Sequence, residues 1–193
     1  MTDEFIDSIQ PIVLVGGRSS RFGRDKLLEP YGEGVLVARP IGALRAVFGS
    51  RVRLVGECHA SIPLLADGDF PDLHPGVGPM GGIISALAAS GAGVFVLAGD
   101  MPACDTGTIR RILDVAKDNS AALAVMARTD QRHPCVALYR PGALAVLEAR
   151  LRGGRLALHS AFDPGQIVDV ACEPRAVANV NSPEDVDGSR GLA

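Results

Sequence analysis

At 193 residues the chain suits one domain, and 47% hydrophobic with 21% charged residues supplies a core and an ordinary polar surface. A formal net charge of −3 argues against the broad basic excess of a nucleic-acid or membrane-surface protein. No apolar stretch reaches the roughly 18–20 residues that span a bilayer, and the acidic opening "MTDEFIDSIQ" is unlike a signal peptide, so a cytoplasmic protein with no membrane and no nucleic acid partner is expected. Cys58, Cys104, Cys135 and Cys172 show no CxxC spacing and read as reduced, mostly buried thiols.

In chain order, "PIVLVG" (11–16) is an apolar, β-branched run stopped by glycine and reads as a strand. "VARPIGALRAVFG" (37–49) has helical spacing, with Pro40 in a first turn or at a kink. "RVRLVG" (51–56) is a short strand, and a Pro/Gly-rich loop (63–82) precedes the buried helix "GGIISALAAS". "GVFVLAGD" (93–100) is continuously apolar, as a central parallel strand is. Residues 106–118 follow with helical periodicity and Asp105 as N-cap. "ALAVMA" (122–127) and "PCVALYR" (134–140) read as strands, "GALAVLEARLR" (142–152) as an amphipathic helix and "GQIVDVA" (165–171) as a late strand. "NVNSPEDVDG" (179–188) is a polar loop leading to a short terminal helix. This alternation predicts an α/β fold, a mostly parallel sheet with helices on both faces. In such sheets ligands bind beyond the carboxyl ends of the strands, which selects the loops at 16–26 and at Asp100.

The stretch "IVLVGGRSSRFGRDK" places Arg18, Arg21, Arg24 and Lys26 close behind two glycines. It is neither a G-x-x-x-x-G-K-[ST] loop nor a G-x-G-x-x-G fingerprint. Glycines still let backbone N–H groups approach a ligand, and Arg and Lys neutralise phosphate oxygens. On charge alone, a solvated basic loop explains it almost as well. Asp100, ending the apolar run "VLAGDMP", reads alone equally as a turn or helix-entry aspartate or as a carboxylate placed to hold Mg²⁺ against phosphate oxygens; falling on the same sheet edge as the basic loop favours the second.

Five stretches together resemble one family. "LVGGRSSRFGRDK" is similar to the L-A-G-G-x-S-x-R-M-G-x-D-K signature of MobA-type molybdenum cofactor guanylyltransferases. "DLHPGVGPMGGI" (72–83), "GDMP" (99–102), "HPCVALYR" (133–140) and "NVNSPED" (179–185) resemble that family's later motifs, in its order. The resemblance implies a three-layer α/β/α Rossmann-like nucleotidyltransferase fold in a single domain, with a nucleotide-binding half at about 8–105 and an acceptor half at about 106–193. It implies that Leu14, Val15, Gly16 and Gly17 line the nucleotide and that Arg21 and Lys26 contact the triphosphate. Asp72 would hold the guanine or ribose side and Asp100 the Mg²⁺, with Asn181 as a candidate second ligand. His133, Pro134, Arg155, Asn179 and Asn181 would face the acceptor. The implied substrates are GTP and molybdopterin, whose terminal phosphate would attack the α-phosphorus and release pyrophosphate; molybdoenzymes or their chaperones are candidate protein partners.

Three positions depart from the pattern. Val15 replaces an alanine, Phe22 a methionine, and Gly56 a frequent asparagine, which bears on base selectivity. Sibling activities remain open at this point: a cytidylyltransferase for the same cofactor, or a cobinamide-phosphate guanylyltransferase. So does a non-catalytic nucleotide-binding regulator, although Lys26 and Asp100 are intact. An NAD-type Rossmann protein is disfavoured by the missing fingerprint. Arg128, Arg132, Arg140 and Arg155 are candidates for an anionic pterin-phosphate site, or solvated side chains.

Overall fold

The computed structural model describes residues 3–16, 25–182 and 185. Nine strands appear among them: β1 (Ile9–Leu14), β2 (Pro30–Tyr31), β3 (Gly34–Val35), β4 (Arg53–Val55), β5 (Asp69–Phe70), β6 (Gly93–Ala98), β7 (Ala124–Arg128), β8 (Arg132–Tyr139) and β9 (Ile167–Ala171). The helices are α1 (Glu4–Asp7), α2 (Ala38–Phe48), α3 (Pro79–Ser90), α4 (Thr106–Asp118) and α5 (Ala143–Arg152). Seven strands form one sheet in the order β5-β4-β1-β6-β8-β7-β9, and β2 and β3 form a separate small hairpin. Among the described residues no helix is long and apolar enough to cross a membrane.

Strand alternation divides the core into two layers. Val13 of β1, Phe95 and Leu97 of β6, Val125 of β7 and Leu138 of β8 pack with Ile41 and Leu44 of α2 and Ile109 and Ile112 of α4. The intervening residues Ile12, Val94, Val96, Met126 and Tyr139 pack with Ile83, Ile84 and Leu87 of α3 and Leu147 of α5. The result is the expected three-layer α/β/α arrangement. Pro40 sits within the first turn of α2, where its missing N–H has no helical partner to lose. Asp105 caps α4, its carboxylate accepting from Thr108 N at 2.8 Å. α3 begins at Pro79, two residues before the predicted start, and α1, β5 and the β2–β3 hairpin carried no legible periodicity because they are two to four residues long. The four cysteines are free, but only Cys104 is fully buried; Cys58 and Cys172 are partly exposed and Cys135 is enclosed except where it borders a cavity, which corrects the expectation of mostly buried thiols.

The sheet departs from all-parallel pairing at one strand. β1 pairs in parallel with β4 and β6, and β7 with β9, whereas β8 runs antiparallel between β6 and β7. The run at 93–100 therefore has a parallel neighbour on one side only. A continuous apolar run reports burial on both faces, not the direction of the neighbours, so the sequence could not show this. Reversal of β8 brings its first residues, not its last, to the edge where β1, β4 and β6 end.

β8 also bulges. Met126 pairs with Ala137 and Ala127 with His133, which leaves residues 134–136 without partners on β7. Pro134 has no N–H to lose there, and its carbonyl accepts from the hydroxyl of fully buried Tyr139 at 2.8 Å. Tyr139→Phe leaves that carbonyl unpaired and should cost about 1–3 kcal/mol. Urea unfolding should show a lower midpoint at unchanged m-value; an unchanged midpoint would contradict this role.

Candidate active site

The carboxyl ends of β4, β1 and β6 form one edge, and the ladder runs past them. Val15 N donates to Val55 O at 3.0 Å and Gly99 N to Leu14 O at 2.9 Å, so the tips at Gly16, Gly56 and Asp100 are held in register. The chain leaves β1 toward β4 on one side and toward β6 on the other, and that reversal opens a crevice. A cavity of about 670 Å³ fills it.

One end of the cavity carries Lys26 and Asp100. Lys26 Nζ lies 2.7 Å from Asp100 Oδ2, 3.0 Å from Val180 O and 3.2 Å from Asn181 Oδ1. The lysine is aimed by its neighbour: Asp25 caps the turn at 26–28, accepting from Leu27 N at 3.1 Å and from His59 N at 2.9 Å. The C-terminal segment is stitched on from the other side, Val180 N donating to Asp100 O at 2.8 Å. Asp185 shapes that segment, its Oδ2 accepting from Asn181 N and Ser182 N, each at 2.8 Å. These backbone N–H bonds hold the Asp185 carboxyl below its ordinary range. Cys135, delivered by the start of β8, also lines this end. Burial, with a smaller contribution from the charge of Asp100, pushes its thiol up to about 12, so it is protonated at neutral pH and no nucleophile.

The other side is built largely of backbone, with the carboxylates of Glu57 and Asp72 beside it. Gly56 has φ +118°, and a Cβ there would stand 2.6 Å from Gly16 N, so close approach of the two backbones requires glycine. The asparagine frequent in the resembled family would not fit this backbone, and Glu57 follows as a lining residue. Asp72 faces the cavity across from it, its Oδ1 accepting from His74 N at 2.9 Å and lying 3.3 Å from the hydroxyl of buried Ser85. Pro75, Gly76, Gly78 and Pro79 complete this side. On Gly82 a Cβ would approach Leu14 Cδ2 to 2.8 Å, so the small residue keeps the floor open.

Of the residues expected on the nucleotide side, Leu14, Val15, Gly16, Lys26, Asp72 and Asp100 line this cavity. Gly17 and Arg21 lie outside the described residues, as do Arg18, Phe22 and Arg24. The expected acceptor group divides. Asn179 lines the cavity and Asn181 meets Lys26. Pro134 instead lines a second cavity, and His133 Nε2 is engaged with Thr129 Oγ1 at 2.8 Å. Arg155 is exposed in the turn after α5 and lines neither cavity. Asp25, Glu57 and Cys135 were missed. Asp25 is adjacent to Lys26 and carried a capping signal, whereas Cys135 became visible only through the direction of β8.

Oxygen donors suited to a hard divalent cation converge on Lys26 Nζ: a carboxylate, an amide oxygen and a backbone carbonyl. Asp100 and Asn181 thus fit a Mg²⁺ ion, the ammonium showing that a cation is held there. Among the described residues no group of three or more His, Cys, Asp or Glu side chains gathers to hold a metal, here or elsewhere, so Asp100 would be the carboxylate ligand with amide and carbonyl oxygens beside it.

A family model described as the MobA-like NTP transferase domain matches residues 11–164. The chain is 35% identical to a protein of Opitutus terrae named probable molybdenum cofactor guanylyltransferase, covering 92% of this chain and 93% of that one. It is 31% identical to a protein of Xanthomonas euvesicatoria named molybdenum cofactor guanylyltransferase, covering 90% and 89%. The solved structure of molybdopterin-guanine dinucleotide biosynthesis protein A from Archaeoglobus fulgidus superposes with a TM-score of 0.76 at 22% identity, over 94% of this chain and 97% of that one, and shares the fold.

Two outcomes follow from the geometry. Asp185→Ala releases the turn that presents Asn181, and turnover should fall about tenfold while Asp185→Asn, which keeps one acceptor oxygen, recovers part of it. Equal turnover in steady-state assays of both variants and wild type would contradict that role. Burial depresses the His133 imidazole below 6.5, against partial support from the Asp130 charge. The unfolded chain then binds the proton more readily, so this contribution is intact above pH 6.5 and stability falls as pH drops from there toward the folded value. His133→Gln should flatten thermal melts across that window; an unchanged slope would contradict it.

Proposed function

The chain belongs to the MobA-like NTP transferase family, and from that premise we propose that it transfers GMP from GTP to the terminal phosphate of molybdopterin, forming the guanine dinucleotide cofactor and pyrophosphate. The observation that carries this reading is the meeting of Lys26, Asp100 and Asn181 at one end of a nucleotide-sized cavity. Its names for the substrates come from the relatives.

In this reading the base lies between Glu57 and the Pro75–Pro79 loop, with Asp72 toward the ribose, and the triphosphate runs toward Lys26. Arg21 and Gly17 are assigned to the triphosphate and the nucleotide by motif position alone. Lys26 exchanges Asp100 for phosphate oxygens, and its charge meets the negative charge that develops on departing pyrophosphate. Asp100, with Asn181, would hold Mg²⁺, which supplies neutralisation of phosphate oxygens when bound. A phosphate acceptor with a second pKa of about 6 is already ionised near neutral pH and needs no general base. That agrees with the protonated state of Cys135 and with His133 being bonded to Thr129. The four free cysteines suit a reducing cytoplasm.

Pyrophosphate release measured across GTP, CTP and ATP, with and without molybdopterin and Mg²⁺, tests the reading. Release should require GTP and both additions; preference for CTP, or no release with any nucleotide, would overturn it. Lys26→Ala and Asp100→Ala should each lower kcat by about 100-fold or more. Each variant also leaves one largely buried charge without its partner and should lower the melting temperature, so kcat is compared at a temperature where circular dichroism shows both variants folded.

A further inference from the structure

A second cavity, of about 450 Å³, opens on the same sheet edge and is lined by Arg128, Gln131, Arg132, Pro134 and His159. Pro134 lines this cavity while its chain neighbour Cys135 lines the first, so the two spaces adjoin across one residue of β8. Of the four arginines that the sequence offered for an anion, the structure gathers two here. Arg140 instead donates to Ala116 O at the end of α4, and Arg155 stands apart in its turn.

Arg128 and Arg132 are directly opposed across β7 and β8. Like charges in that relation repel and weaken a ladder. One carboxylate offsets them: Asp169 on β9 accepts from Arg128 Nη1 at 2.7 Å and from Arg132 Nε and Nη2 at 2.7 and 3.2 Å. The Arg132 bond is the larger influence holding the Asp169 carboxyl below its ordinary range, with Arg128 adding to it. Asp130 stands in the same turn with its carboxylate accepting from Thr129 Oγ1 and Gln131 N, and among the described residues no acidic side chain lines the cavity itself, so the cations face it.

The two arginines are not equivalent. Arg132 is consumed by the fold, since its third nitrogen, Nη1, donates to His159 O at 3.0 Å. Arg128 uses Nη1 alone, its side chain is 49% exposed, and among the described residues Nε and Nη2 have no partner. Asp169 therefore acts as a brace that turns the open edge of Arg128 outward, with the Gln131 amide and the His159 ring beside it. A preorganised guanidinium fork is suited to paired oxygens of an anion.

We infer that this second cavity binds an anionic group of the acceptor substrate distal to its reacting phosphate, with Arg128 as the contacting residue and Arg132 and Asp169 as its positioning pair. The inference rests on the proposed function for the identity of the acceptor. An acceptor whose phosphate reaches Asp100 and that extends past Cys135 and Pro134 along β8 comes to the cavity that Arg128 lines.

The test separates acceptor binding from nucleotide binding. For Arg128→Gln the KM for molybdopterin should rise roughly tenfold, as loss of a charge-assisted hydrogen bond predicts. The Kd for GTP, measured by calorimetry without acceptor, should stay within about twofold of wild type, and Arg128→Lys should fall between. An unchanged acceptor KM, or a GTP Kd that shifts by the same factor, would overturn the site. If wild-type protein transfers no GMP at all, the proposed function fails instead. Titration of inorganic phosphate into wild type and Arg128→Gln then decides the site: tighter binding by wild type supports it and equal binding overturns it.

Discussion

The ammonium of Lys26 binds together parts of the chain that are far apart in sequence. It stands against the carboxylate at the tip of β6, a backbone carbonyl and an amide oxygen from the C-terminal segment, and it follows directly on the Asp25 cap. Without that cation, a carboxylate and two further oxygens would face each other across a partly dry crevice. The Lys26 and Asp100 side chains are each only 19% exposed, so the arrangement is largely out of water and either charge would be left without its partner if the other were removed. Its consequence is positional. A charge held by oxygens in this way can be exchanged for phosphate at small energetic cost, and the oxygens it leaves are those a divalent cation prefers.

Much of the frame was legible in the sequence because periodicity and stop signals agreed. α4 starts after Asp105 and ends at Asp118 as its pattern implies, and β1, β4 and β6 fall where β-branched runs end in glycine. Strand direction was not legible, and it is what decides which residues of β8 reach the two cavities. Once β8 is reversed, Cys135 enters the larger cavity, Pro134 the neighbouring one, and His133 turns to Thr129. A motif in which histidine, proline and tyrosine recur at fixed spacing therefore has a structural reason as well: Tyr139 closes the bulge that Pro134 opens. Gly56 shows the converse, a departure from the resembled pattern explained by a backbone contact that no single-sequence signal carries.

The two cavities divide the chemistry along the sheet. The larger joins glycine-rich backbone to a lysine and carboxylates, which suits the proposed nucleotide and metal; the smaller is lined by arginines that Asp169 braces from outside it. Their separation follows from topology, since parallel strands β4, β1 and β6 present their ends to one and the β7–β8 turn presents arginines to the other. Group transfer between two anions needs such a division, because each must be neutralised separately before their phosphates approach.

The most direct measurement is a crystal structure with Mg²⁺ and a non-hydrolysable GTP analogue. The account predicts guanine between Glu57 and the Pro75–Pro79 loop, Lys26 Nζ on the triphosphate in place of Asp100, and the metal on Asp100. A nucleotide bound in the reverse orientation, or outside this cavity with the Lys26–Asp100 contact intact, would contradict it.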